Sequence, residues 1–576
     1  MHTPPRGLAQ HCISSLHAVA TAVCAAKRSR TTAAPLLRLK TSHAMGSSAV
    51  ANPRDYETAL AKLNLLASNR AVTALFEKPR RDGDGAASPS PPTPPARDLN
   101  AQAIPEMIAW LRRAGYEPRD LAAMRHIHVA GTKGKGSVCA FATSLLRAAY
   151  RQDHGDGEGG GGQRRRQRLV GTYTSPHLVS PRERIAIDGA PVSQAAFAAA
   201  FWELWERFTA AAVAEGQPRE LAEGPSSKPF YFRFLTILAW HMFLQAGVRD
   251  VVMECGIGGE HDATNVLPPE AVSAAVVSRL GVDHVAMLGD TVEQIAWHKA
   301  GIFKRGVTAF TSDERGERPA VLDVLRRRAA ERGARLVEVD EAAVRAWGGV
   351  ESALRGDFQR SNQALAVLAV QQHLGTRDEA AGTAEALARL PRDTIRGLRE
   401  ATLRGRCEVV RDAAHGVEWL LDGAHTRDSI EQVARWLAQS RRSAAGGPVT
   451  LVFNQQERDA PALLAHLLAD TAATKAAAPA SAKGGGNVFS HAIFTRNEQA
   501  AADHDGDLSV QEALAATMRT LAPRCDVRVF DNVQSAVAQV RRMATAGRGR
   551  EQKVLVTGSL HLVGGIMRVI EPDSQL

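Results

Sequence analysis

An α/β protein built on a parallel sheet with helices on both faces is what this sequence predicts, and three observations predict it. Apolar runs of strand length alternate with stretches of helical periodicity. Glycine-rich turns follow several of these runs, and the carboxyl ends of strands are where such sheets bind ligands. The alternation continues past Thr402, where a second, smaller α/β domain of Rossmann-like character is expected to begin.

Taken in order, "DYETALAKLNLLASN" sets Leu60, Leu63 and Leu66 on one helical face. Strands are expected at "HIHVAG", "LVGTYTS", "DVVMECG", "SAAVVSRLG" and "VTAFTS", then at "GVEWLLDGAHT" and "KVLVTGSLHLVGG". Three stretches, 81–98, 153–168 and 471–486, are too rich in Pro, Gly, Ala or charge to pack and are expected as surface loops. Arg164, Arg165, Arg166 and Arg168 within the second read as a solvated cluster, because no aromatic residue interleaves them. The expected division is a leader at 1–54, a central nucleotide-binding domain at 55–401 and a C-terminal domain at 402–576.

With 576 residues, 44% hydrophobic and 23% charged, the chain can bury two or three ordinary cores. No run reaches eighteen uninterrupted apolar residues, so no integral membrane span is expected. Six scattered cysteines form no CxxC pair and read as reduced thiols. The net charge of +10 is concentrated at one end: Arg6, Lys27, Arg28, Arg30, Arg38, Lys40 and Arg54 precede the first acidic residue, Asp55, and supply +7 of it. Such a basic, acid-free leader has the character of a mitochondrial transit peptide, and Met45 is placed to start a cytoplasmic form without it. Without the leader no basic stripe remains, so no nucleic-acid partner is expected.

The most informative stretch is "HVAGTKGKGS". Strand Ile127 to Ala130 runs into Gly131, Thr132, Lys133, Gly134, Lys135, Gly136 and Ser137, and "VCAFATSLLRAA" continues as a helix. Glycines let backbone N–H groups turn onto phosphate oxygens and the helix N-terminus adds a favourable dipole. Lys135 can reach the β and γ phosphates of a nucleotide. The spacing departs from the usual Walker pattern.

Other strand ends supply what a metal-nucleotide site needs. Glu254 ends the strand in "DVVMECGIGGEHDATN", and a carboxylate there suits Mg²⁺. Asp283 and His284 follow "AAVVSRL", Lys299 lies near the end of the next helix, and Ser175, Pro176 and His177 follow "LVGTYT". Arg406, Asp422, His425 and Ser559 occupy comparable places in the C-terminal part. Singly, each has an ordinary explanation: a turn residue, a helix cap, a surface ion pair or a structural histidine.

"GTKGKGS", "SPHL" with "RERI", "YFRFLT", "GIGGEHDATN", "DHVAMLG" and "KAGI" occur in an order that resembles the Mur ligase superfamily and, within it, the folylpolyglutamate synthases. The resemblance runs from about Asp55 to the C-terminus and implies ATP-dependent joining of L-glutamate to the glutamyl tail of folates through an acyl phosphate. It implies Ser175, Glu254, His284 and Lys299 as metal ligands, Lys299 being carbamylated by CO₂, because an ammonium is a poor ligand and a carbamate offers anionic oxygens. It also implies Arg406 and Asp422 on the nucleotide, with His425 and Ser559 toward the substrate, Lys135, Lys299 and His425 being the catalytic set. Mg²⁺ and ATP, a monovalent cation as a further ligand, and a monomer at the mitochondrial matrix or inner membrane and in the cytoplasm complete the expectation.

Three alternatives stay open. "KPFYFRFLTILAWHMF", by itself an aromatic, mostly buried helix start, resembles the eukaryotic polyglutamate synthases at Tyr231 to Phe234, and that resemblance argues against a dihydrofolate synthase; the short stretch before the phosphate loop argues against a cell-wall Mur ligase. A non-catalytic paralogue would be expected to lose one of Lys135, Glu254, His284 or Lys299, all of which are present.

Overall fold

A computed structural model describes residues 54–66, 96–151, 168–313, 316, 318–442, 449–456, 459–476, 488–498, 507–546 and 551–572. Nearly all of the leader, Arg164 to Arg166 and most of the three expected loops lie outside these residues. Pro53–Leu576 forms one compact unit, within which two sheets each carry their own buried clusters.

The first sheet has eight strands in the order β4-β3-β2-β5-β1-β6-β7-β8. They are β1 (Arg125–Ala130), β2 (Val170–Tyr173), β3 (Ile185–Ile187), β4 (Ala190–Pro191), β5 (Asp250–Glu254), β6 (Val272–Val277), β7 (Thr308–Ser312) and β8 (Arg335–Val339). Six run parallel, and β3 and β4 close one edge as an antiparallel pair. The second sheet, β9 (Glu408–Asp412), β10 (Val417–Leu421), β11 (Val449–Phe453), β12 (Phe489–Thr495), β13 (Asp526–Phe530) and β14 (Gln552–Thr557), has the order β13-β12-β11-β14-β10-β9. Only β9 in it is antiparallel. The expected α/β class with a parallel-dominated sheet in each half is what the chain adopts.

Helices cover these strands. They include α1 (Tyr56–Leu65), α2 (Ala96–Arg113), α3 (Lys135–Arg151), α4 (Gln194–Ala214), α5 (Tyr231–Ala246), α6 (Val292–Lys299), α7 (Gln359–Leu374), α8 (Arg427–Arg442) and α9 (Leu560–Ile570). The aromatic segment expected as a buried helix start is α5, where Phe234, Leu235, Ile237, Leu238, Trp240 and Phe243 are fully buried. Each such side chain contributes about 1.5–3 kcal/mol of transfer free energy. Gly247, with φ 71°, ends that helix in the left-handed conformation a glycine adopts without strain.

Three loop expectations need correction. Ala96, Arg97 and Asp98 already belong to α2, and Thr471 to Ala476 belong to the helix Ala460–Ala476. Arg168 is not merely solvated: it pairs with the buried carboxylate of Asp250 at 2.5 Å, alongside Arg125 at 2.9 Å and His373 at 2.8 Å. The buried charge demands partners, and a sequence-distant arginine supplies one.

The parallel register fixes the site. Val129 pairs with Glu254 across β1 and β5, and Ala130 pairs with Val277 across β1 and β6. The chain therefore delivers the phosphate-type loop, Glu254 and the Ser278–His284 loop to one edge of the sheet.

Candidate active site

At that edge a cavity of about 2680 Å³ is lined by both halves of the chain: Lys135, Ser175, Glu254 and His284 from the first sheet, and Arg406, Asp422 and His425 from the second. The Gly131–Ser137 loop is braced from behind. Thr132 and Lys133 donate their N–H groups to the Arg279 carbonyl at 3.1 and 3.0 Å, and the Ser278 hydroxyl donates to the Lys133 carbonyl at 2.8 Å. Gly131 (φ 148°) is required here, since a Cβ would fall 1.9 Å from the Ser278 oxygen. Helix α3 begins at Lys135, so its first N–H groups face the cavity without intrahelical acceptors.

Two lysines sit at this loop. Lys135 donates to the Gly131 carbonyl at 3.0 Å and lies 4.0 Å from Glu254. Lys299, at the last turn of α6, donates to the same carbonyl at 2.8 Å. Burial, with the charge of Lys135 adding to it, pushes the Lys299 ammonium down to about 7. Glu254 is buried and its carboxyl is raised above the ordinary value by desolvation, against the pull of Lys135 and of the N–H of Ser175, which reaches its Oε2 at 3.0 Å.

The "GIGG" and "KAGI" motifs meet because neither tolerates a side chain. A Cβ on Gly259 would lie 2.7 Å from the His298 carbonyl, and one on Gly301 would lie 2.3 Å from the Glu260 Cα. The Asn265 amide ties both, donating to the Glu260 and Gly301 carbonyls at 3.1 Å each. Asp262 holds the turn by accepting from the N–H groups of Gly256, Ile257 and Thr264. His284 stands on an exposed left-handed turn, φ 53°, beside Asp283. Asp283 itself lies 3.9 Å from Lys133. His177 accepts from Arg184 at 2.9 Å through Nδ1, and burial lowers it to about 3.

In the second half, Asp422 closes the turn after β10 instead of capping a helix. Its carboxylate accepts from the N–H groups of Cys407 at 2.8 Å and Ala424 at 2.9 Å, which fixes the backbone beside Arg406. His425 is half-buried, its Nδ1 2.9 Å from the Gly423 carbonyl. Ser559 is buried at the start of α9.

Sequence reasoning missed Gln359 and Asn362. Both are buried at the start of α7; Gln359 donates to the Ser137 hydroxyl at 3.2 Å and Asn362 to Gln359 at 2.9 Å. Nothing in "FQRSNQALAV" marked them beyond amides in an otherwise apolar helical pattern. Asp262 was missed as well, although a carboxylate just after a glycine turn is an Asx-turn signal.

The profile described as "Mur ligase, glutamate ligase domain" matches residues 405–560, the second half of the cavity wall. A curated folylpolyglutamate synthase of Neurospora crassa is 38% identical over 498 residues, covering 83% of this chain and 87% of its own. The chain belongs to the folylpolyglutamate synthase family. A folylpolyglutamate synthase of Saccharomyces cerevisiae is 34% identical over 535 residues, covering 90% of this chain and 87% of its own. Among solved structures, the Mycobacterium tuberculosis folylpolyglutamate synthase complexed with ADP and AMPPCP superposes with a TM-score of 0.59 at 25% identity, covering 83% of this chain and 98% of that one. The architecture is thus that of the Mur ligases.

Proposed function

We propose that the protein is an ATP-dependent amide ligase that adds L-glutamate to the glutamyl tail of folates, giving folylpoly-γ-glutamates, ADP and phosphate. One observation carries the reading: in a chain of this family, Lys135 and the buried Glu254 face each other across 4.0 Å at the mouth of a glycine loop. A folate carboxylate attacks the γ-phosphorus of ATP, the terminal P–O bond to ADP breaks, and an acyl phosphate results. The amine of glutamate then attacks the acyl carbon, a proton leaves the nitrogen, and phosphate departs. Lys135 and the α3 N-terminus stabilise the charge that develops on the transferring phosphoryl group. Enclosure of the cavity by both halves keeps water from the acyl phosphate.

The donor set suits Mg²⁺. Glu254 offers a buried, desolvated carboxylate, and Ser175, whose backbone N–H reaches that carboxylate, carries a hydroxyl; both are hard oxygen donors to which nucleotide phosphates would add. Among the described residues no cluster of three or more His, Cys, Asp or Glu could hold a metal without such help. When bound, the ion would neutralise phosphate charge. His284 and a carbamylated Lys299 complete the proposed set, with a monovalent cation as a further ligand. A lysine lowered to about 7 has the neutral amine that CO₂ addition needs. Arg406 and Asp422 are assigned to the nucleotide and His425 to the substrate.

Domain boundaries near 55 and 402, a monomer, and residence in mitochondria and cytoplasm, the latter from Met45, belong to the same reading. The basic leader supports the mitochondrial form. Among the described residues no helix is long and apolar enough to cross a membrane.

The test is incorporation of labelled glutamate by protein starting at Met45, with Mg-ATP and either tetrahydrofolate or dihydropteroate. Several glutamates added to tetrahydrofolate support the proposal. Activity on dihydropteroate alone moves the assignment to dihydrofolate synthase, and ATP binding without either product moves it to a non-catalytic paralogue.

A further inference from the structure

The segment Ser175–Ser180 follows a strand of the first sheet, yet Leu178 is buried in the core of the second. It belongs to one cluster with Val417, Trp419 and Val563. Two glycines receive it. A Cβ on Gly564, inside α9, would lie 2.0 Å from the Leu178 carbonyl oxygen, and one on Gly405 would lie 2.9 Å from its side chain. Arg568 of the same helix donates to the Val179 carbonyl.

The segment is also stiff. Glu183 accepts the N–H groups of Leu178, Val179 and Ser180 at 2.9, 2.7 and 2.5 Å. At its other end the Ser175 N–H holds Glu254 at 3.0 Å. A displacement of α9 is therefore transmitted through Leu178, along a loop that cannot easily bend, to the carboxylate facing Lys135.

The geometry points to the Leu178–Gly564 contact as a positioning device that sets Glu254 according to the placement of the second sheet. Leu178 and Gly564 touch no reacting atom and act through Ser175. The kinetic arm of its test rests on the ligase reading, whereas the exchange arm does not.

Gly564→Ala is the decisive variant, because in a helix it favours the fold by propensity and opposes only the loop carbonyl. Gly565→Ala is its control: the nearest atoms to a Cβ there are the Asn497 carbonyl and Val533, not the loop. Amide hydrogen exchange of residues 175–180 is measured without substrates, together with kcat and the affinity for ATP. Gly564→Ala and Leu178→Ala are expected to speed exchange at Ser175 by about tenfold or more. Both should lower kcat about tenfold with ATP affinity within about threefold, while Gly565→Ala and the volume-conserving Leu178→Met stay near wild type. Unchanged Ser175 exchange in folded Gly564→Ala overturns the inference, as does a kcat equal to that of Gly565→Ala. Should Leu178→Ala not fold, Gly564→Ala and Leu178→Met still decide. A wild type without ligase activity fails the functional reading and leaves the exchange comparison to judge the contact.

Discussion

Lys135 and Lys299 share one acceptor, the Gly131 carbonyl oxygen, at 3.0 and 2.8 Å. Lys135 has a carboxylate at 4.0 Å, Glu254, whereas Asp283 and Asp262 offset the burial of Lys299 only in part. Lys299 is nearly fully buried and carries the cost of the shared position, which is why it falls from its ordinary 10.5 to about 7. Between those two values the unfolded chain holds a proton that the folded chain lacks, so stability from this group rises with pH across that window. Lys228 and Lys304, both lowered to about 8, add to the same trend. The contribution of Lys299 is isolated by difference: denaturation midpoints of wild type and Lys299→Met, compared from pH 7 to 9, should converge or cross as pH rises. Parallel curves would remove the assignment.

Glu254 gives the opposite sign. A carboxyl raised by desolvation makes the folded chain less stable as pH climbs above its ordinary 4.5. Glu254→Gln keeps an acceptor for the Ser175 N–H and drops the buried charge. Substrate-free Glu254→Gln is expected to melt about 1–3 °C higher than wild type at pH 7, with the gain shrinking toward pH 4. Ligation should fall by about a thousandfold or more, because in the proposed site an amide holds Mg²⁺ more weakly than a carboxylate does. A variant that is less stable at pH 7 would show that Lys135 outweighs burial at this position.

The fold and the edge of the candidate site that carries Lys135 and Glu254 were legible because their signals are local. Strand-length apolar runs ending in glycine mark β1, β5 and β6 directly, and the order of the motifs places Lys135 and Glu254 on one edge. Asn362 and Gln359 were not legible, since they reach the loop only through the packing of α7, more than two hundred residues along the chain. Arg168 misled for the same reason: its arginine neighbours suggested solvent, and its partner Asp250 lies 82 residues on. The role of Leu178 in a foreign core has no sequence signal, because a leucine after "SPH" reads the same wherever it docks.

Gly134 tests the amide missed in the sequence. Its φ of 88° is open to glycine, and a Cβ would lie 2.3 Å from the Asn362 side-chain oxygen. Gly134→Ala therefore meets both a strained backbone and a packed amide, and ATP affinity should fall by about tenfold or more. Adding Asn362→Ala removes the second obstacle only, so the double variant is expected to recover part of the loss. Full recovery, read by titration with a fluorescent nucleotide, would place the whole effect in the clash and none in the backbone.

The nucleotide role proposed for Asp422 could be exercised in two ways, and the geometry favours one. Its oxygens accept from Cys407 N–H and Ala424 N–H, and Cys407 sits at φ 47°, a conformation few residues other than glycine adopt at low cost. The carboxylate thus holds a strained residue whose neighbour, Arg406, lines the cavity and lies near enough to Glu254 to favour its charged form. If Asp422 acts through that backbone, Asp422→Asn sets an amide donor against a backbone N–H, Arg406 loses its placement, and KM for ATP rises about tenfold. Cys407→Gly, which removes the strain, should then leave KM within about twofold and, combined with Asp422→Asn, restore part of the loss. A direct contact to the ribose predicts a different pattern. In that case 2′-deoxy-ATP would erase the difference between wild type and Asp422→Asn, and Cys407→Gly would rescue nothing. Measuring KM for ATP and 2′-deoxy-ATP across these four proteins separates the two, because only the backbone route makes a glycine at 407 compensate for a change at 422.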